Sequence, residues 1–247
     1  MQEDKQLIKS AQTFSYLFGY LPVAAKNLAK FKKQKDGMDT EEYSRLIHSE
    51  PQKWATGIMK RTGSKVTVTG LDKLPGGPVL FVSNHEGNFD IPVLLSSIPK
   101  PFGFISKEEV RKFPVIPAYM EEMNCVFLDR TDRRSAFKSI TDSIAKLQAG
   151  HTVLIFPEGT RSKGAGLQEF KAGFMRIAKD AKVPIVPIAI EGTSRIMEKN
   201  NNRVHSANVT VQVLEPISLE ELSEAGVKAA ELVRSRIEQA LESLPHK

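Results

Sequence analysis

The chain has 247 residues, 40% hydrophobic and 26% charged, with a formal charge of +6. That length suits one sizeable domain plus an appendage, and the balance excludes a disordered polymer. The single cysteine, Cys125, excludes an intrachain disulfide, and without zinc spacing, RNP-like strings or aromatic–basic interleaving nothing favours nucleic acid as a partner.

In chain order, residues 1–36 differ from the rest. Glu3 and Asp4 open the chain, and no cleavable apolar core follows, so no signal peptide is expected. No charge falls between Lys9 and Lys26, a run that carries Phe14, Tyr16, Leu17, Phe18, Tyr20, Leu21 and Val23. It is too short for the roughly 20 residues of a spanning helix. Aromatics followed by Lys26, Lys30, Lys32, Lys33 and Lys35 read as an interfacial helix lying in one leaflet. A core helix of a soluble domain is the alternative. Residues 39–61 predict a second helix, capped by Asp39 or Thr40 with Glu41 and Glu42 in its first turn. Pro51 is expected to kink or break it. It either pairs with the first helix or packs on the sheet.

From Val66 strands alternate with helices, which argues α/β architecture. Strands are expected at 66–68, 78–83, 102–106, 126–128, 152–156, 185–190 and 208–214. Helices are expected at 90–97, 107–111, 134–149 and 170–181, with 116–123 left open. Ser218 and Glu221 form a capping box that opens a last helix to about Ser243, before Pro245. Cys125 reads as a small buried hydrophobe. The expected fold class is a mixed, mostly parallel sheet flanked by helices, with an N-terminal two-helix membrane-associating appendage. The boundaries are 1–61 for that segment and 62–247 for the α/β domain.

Two strand ends carry the chemistry. The apolar run 78–82 leads into Asn84-His85-Glu86-Gly87-Asn88-Phe89-Asp90. Five helical steps would set His85 and Asp90 about 140° apart, but a turn at Gly87-Asn88 brings them together. An imidazole steered by a carboxylate is the general-base half of a catalytic triad. The second run, 153–156, leads into Pro157-Glu158-Gly159-Thr160-Arg161-Ser162. Ligands of open α/β sheets bind beyond the carboxyl ends of strands, and arginine is the preferred planar partner for phosphate.

These strings resemble the glycerolipid acyltransferases. Asn84-His85-x4-Asp90 is similar to their first motif, Val126-Phe127-Leu128-Asp129-Arg130 to the second, Phe156 to Ser162 to the third and Val183 to Ile188 to the fourth. Order and spacing match over most of residues 66–192. By size and wording the nearest subfamily is the lysophosphatidic acid acyltransferases. The resemblance implies acyl transfer from acyl-CoA or acyl carrier protein to the sn-2 hydroxyl of 1-acyl-glycerol-3-phosphate, forming phosphatidic acid at the cytoplasmic face of a cell membrane. Another lysophospholipid, or glycerol-3-phosphate, is the alternative acceptor; a non-catalytic lipid-binding protein is the alternative class.

The resemblance implies that His85 deprotonates the acceptor hydroxyl and that Asp90 orients it. It implies substrate binding by Glu158 and Gly159 at the glycerol, by Arg161 and Arg130 at the phosphate, and by Thr160 between them in the third motif. A loop ion pair between Glu158 and Arg161 is the alternative, and Arg133 and Arg134 read as surface charges. Lys107 and Lys171 are either solvated or phosphate contacts. The fourth motif either lines an acyl channel or completes the core. No metal and no cofactor are expected, since neither HExxH spacing nor a phosphate-binding GxxxxGK[ST] or GxGxxG string is present.

Overall fold

The computed structural model describes residues 2–244, without the side chains of residues 2–5 and Arg133. Pro245 and the surface role expected of Arg133 therefore lie outside the described residues. Seven strands form one sheet: β1 (Lys65–Thr69), β2 (Leu80–Ser83), β3 (Gly103–Lys107), β4 (Val126–Leu128), β5 (Val153–Ile155), β6 (Ile185–Glu191) and β7 (Asn208–Val213). Their order is β1-β7-β6-β2-β5-β3-β4. Only β6 and β7 pair antiparallel. The central strand β2 is buried on both faces, which explains why it reads as a continuous apolar run rather than an alternation.

Helices cover both faces. On one lie α1 (Gln2–Gly19), α2 (Leu21–Gln34), α3 (Thr40–Thr62), α4 (Asp90–Ser97) and α5 (Ile116–Glu122). Leu28, Ile47, Val93 and Tyr119 from these helices share a core with Phe81 and Val186 of the sheet. On the other lie α6 (Arg133–Gln148), α7 (Gly173–Ala181), α8 (Leu219–Ala225) and α9 (Ala229–Ser243). There Leu147, Ile177 and Val233 pack on Leu80 and Val82. Each such fully buried aliphatic side chain contributes about 1.5–3 kcal/mol.

The N-terminal helical segment is present, and its first stretch is divided at Tyr20. Pro22 begins α2 because its missing N–H and fixed φ suit a first turn. Buried Glu50 ties the pieces together by accepting from the Tyr20 hydroxyl at 2.6 Å and from Asn27 Nδ2 at 2.9 Å. Asp39, of the two candidate caps, accepts from Glu42 N at 2.8 Å. Pro51 does not break α3, which packs on both α1 and α4. Gly57 allows α1 to come close: a Cβ there would lie 2.0 Å from the Tyr16 hydroxyl.

Three local expectations change. The helix at 107–111 is a 3-10 turn, Glu108–Lys112, while the open stretch 116–123 forms α5. The long last helix is interrupted at Gly226, whose φ of 54° takes the chain out of the helical region. Ser218 still caps α8, but the Glu221 carboxylate pairs with Arg236 instead of completing the box. The fourth motif lies in and beside β6, where Ile185, Val186 and Ile188 are fully buried. It completes the core and does not line the cleft.

Candidate active site

β2 and β5 are parallel neighbours, so the loops that follow them emerge side by side. They are zipped by backbone bonds from Ser162 N to His85 O at 2.8 Å and from Lys163 N to Glu86 O at 2.9 Å. β3 and β4 end at the same edge, with Lys107 opposite Leu128. This topology gathers residues that lie up to 92 positions apart, from His85 to Ile177, around a cleft of about 660 Å³.

The first loop turns at Gly87-Asn88 into α4, so Asp90 is the first helical residue. Its carboxylate is fully buried and stands 2.5 Å from His85 Nδ1. A carboxylate only accepts, so Nδ1 carries the proton and Nε2 is the nitrogen left to take one. Asp90 Oδ2 also accepts from Gly87 N at 3.1 Å, and Oδ1 accepts from the Thr193 hydroxyl. The Phe156 ring stacks on the imidazole at 4.1 Å and 14°, which fixes its plane. A half-buried imidazole held by a carboxylate on one nitrogen is poised as a general base at the other.

Glu158 is set back from the cleft surface. It is 5% exposed and lies behind the cleft wall. One oxygen accepts from His85 N at 2.6 Å and the other from Gln168 N at 3.1 Å. Burial raises its carboxyl above the ordinary value, against these two donors, which lower it. Both oxygens thus hold the two loops together, and Glu158 is not among the residues that line the cleft. The ion pair with Arg161 does not form either. Arg161 bonds Asn88 Oδ1 and stands 3.6 Å from Glu198 Oε1.

The remaining predicted residues do meet. Lys107, Arg130, Gly159, Thr160, Arg161 and Lys171 all line the cleft with His85. Gly159 has a left-handed φ of 69°, and Lys171 Nζ packs 3.0 Å from where its Cβ would be. Loss of water around Arg130 lowers its pKa, opposed by Glu109 and reinforced by the nearby Arg161. With Lys163 the lining holds five cations and, among the described residues, no carboxylate. Such a surface suits a multiply charged anion such as a phosphate monoester. Cys125 is buried as expected, and burial pushes its thiol up to about 12.

Four further residues, two of them inside the first motif, shape the site without a role assigned to them from the sequence. Asn84 bonds both backbone groups of Ile190 at 2.8 Å, which locks the first loop to β6. Glu86 is half-buried, and Gly192 N, Ser194 N and the Thr193 hydroxyl converge on its Oε2. Glu198 covers Gly87 and accepts from Asn88 N at 2.7 Å. Thr193 and Glu198 belong to a segment more than 100 positions downstream, with no local signal to mark it. Only the positive φ demanded at Gly192, 101°, hints at a turn there.

Residues 65–191 match a family described as Acyltransferase. The chain is 36% identical over 180 residues to the "1-acyl-sn-glycerol-3-phosphate acyltransferase LPAT1, chloroplastic" of Arabidopsis thaliana, covering 72% of this chain and 50% of that protein. It is 32% identical over 196 residues to the "Probable 1-acyl-sn-glycerol-3-phosphate acyltransferase" of Mycoplasma genitalium, covering 73% and 72%. Against the chloroplastic proteins of Arabidopsis thaliana and Brassica napus, the chain spans about half their length. The crystal structure of the 1-acyl-sn-glycerophosphate acyltransferase PlsC from Thermotoga maritima has the same fold. Its TM-score is 0.86 over the whole of both chains, at 24% identity.

Proposed function

Because the chain belongs to the Acyltransferase family, we propose that it acylates the sn-2 hydroxyl of 1-acyl-glycerol-3-phosphate from an acyl thioester, giving phosphatidic acid. The observation that carries this reading is the 2.5 Å pairing of His85 with Asp90 on a cleft lined by Arg130, Arg161, Lys107 and Lys171. In this reading the cations hold the acceptor's phosphate and leave its glycerol hydroxyl beside His85 Nε2. As that hydroxyl attacks the thioester carbonyl, Nε2 takes its proton. Collapse of the tetrahedral intermediate expels the thiolate, which recovers the proton from the imidazolium. The Asp90 carboxylate stabilises the imidazolium between these steps. The alcohol is the nucleophile, so no serine is required, and neither is a metal or organic cofactor. A base so placed contributes typically 10²–10⁴-fold.

The same reading sets the protein on an anionic membrane surface. No described helix is long and apolar enough to cross a membrane. Leu7, Phe14 and Phe18 share one face of α1 and are exposed, as is Val23 on α2. Lys26, Lys30 and Lys33 stand exposed beside them, an arrangement that suits a helix lying in the headgroup zone. In flotation, loss of lipid association on replacing Phe14, Phe18 and Val23 by serine supports this placement, and undiminished flotation refutes it.

The test of the activity is a panel of acceptors with one labelled acyl thioester. Labelled phosphatidic acid from lysophosphatidic acid, with little transfer to lysophosphatidylcholine, is expected. Equal use of acceptors lacking a phosphate monoester overturns the assignment.

A further inference from the structure

The segment that follows β6 reaches back over the base. Asn84 fastens the first loop to Ile190, so the chain that leaves β6 arrives opposite Asp90. There the turn Thr193–Arg195 begins. Thr193 is fully buried. Its hydroxyl bonds Asp90 Oδ1 and lies 3.2 Å from Glu86 Oε2. We infer that Thr193 is a positioning residue for His85, because it donates its one hydroxyl proton to Asp90 and holds the carboxylate that aims the imidazole.

This inference rests on His85 being the base. The donor count supports it. A hydroxyl has one proton to give and two carboxylates face it. Glu86 Oε2 already receives N–H groups from Gly192 and Ser194, at 2.9 and 3.1 Å. Asp90 Oδ2 receives His85 Nδ1 and Gly87 N, whereas Oδ1 has Thr193. Without that hydroxyl, Oδ1 is a fully buried acceptor with no donor, a costly state that a rotation of the carboxylate would relieve. Such a rotation moves Oδ2 off His85. A β-branched side chain is stiff at χ1 and keeps the donor in place.

The test compares Thr193→Val, which keeps the shape and removes the proton, with Thr193→Ser, which restores it. Thr193→Val is expected to lower kcat by about 10- to 100-fold while the acceptor KM changes little. Thr193→Ser should return kcat close to wild type. Proton NMR of the full chain reads the bond directly, with the downfield His85 Nδ1–H resonance assigned by its loss in His85→Ala. Thr193→Val should move it and Thr193→Ser should not. A purely structural role would lower the melting temperature and leave that resonance in place. Wild-type kcat with an unmoved resonance in folded Thr193→Val overturns the inference. If that variant does not fold, Thr193→Cys, a weak donor of similar size, replaces it in the comparison and is expected to lose kcat. An active His85→Ala would instead reject the base reading, whatever the Thr193 variants do.

Discussion

Asp90→Asn separates the charge of the carboxylate from its geometry. The bonding pattern dictates how the new amide sits. Its oxygen takes the place of Oδ2, where His85 Nδ1 and Gly87 N both donate. Its NH₂ then faces the Thr193 oxygen, which can accept. The imidazole keeps its orientation and its tautomer, and only the charge is lost. Charge centres about 4 Å apart interact by about 4 kcal/mol at an effective dielectric of 20. That stabilisation of the imidazolium corresponds to about 10³ in kcat. In a serine-protease triad, where the same change leaves the wrong tautomer, the fall is about 10⁴. The assay is release of free thiol from the acyl thioester at saturating acceptor, with acceptor KM measured in parallel. A fall of about 10³ with unchanged KM is expected. A fall below tenfold would refute the claim that Asp90 stabilises a charged His85.

Arg161→Lys should raise the acceptor KM by about tenfold, because a point charge replaces a planar fork, and leave the donor KM nearly unchanged; an equal rise in both excludes the phosphate contact. Gly87→Ala should lower both stability and kcat/KM, since its Cβ would stand 2.5 Å from Glu198 Oε2. Adding Glu198→Ala should recover part of the stability loss, and simple additivity in that double-mutant cycle counts against the contact. Burial lowers the pKa of His48 to about 4. Above pH 6.5 the ring is neutral whether folded or unfolded. As pH falls toward 4 the unfolded chain binds a proton that the fold rejects, so stability drops by up to about 3 kcal/mol. Urea denaturation should show this loss in wild type and a flatter profile in His48→Leu, and parallel profiles would contradict it.

The strands and the two loops that carry the candidate site are legible in the sequence because their signals are local. Buried parallel strands are continuous apolar runs, and β2 and β5 each end at a turn with glycine. The His85–Asp90 spacing is interpretable for the same reason, since five positions and a glycine turn admit few geometries. The surroundings of Glu158 are not legible, because sequence gives a carboxylate's position but not what buries it; its two backbone donors come from His85 and Gln168, on separate segments. The break at Gly226 is a single positive φ in an otherwise helical pattern. Thr193 and Glu198 are invisible for a different reason. Their partners lie 103 and 110 positions away, and only the adjacency of β6 to β2 brings them over the site.

The central claim is that His85 Nε2 removes the acceptor's proton. It is tested most directly by His85→Ala, assayed for acyl transfer to lysophosphatidic acid under single-turnover conditions with binding of both substrates verified. The account predicts intact binding with turnover reduced by about 10²–10⁴. Turnover near wild type, with the acceptor still bound, contradicts it.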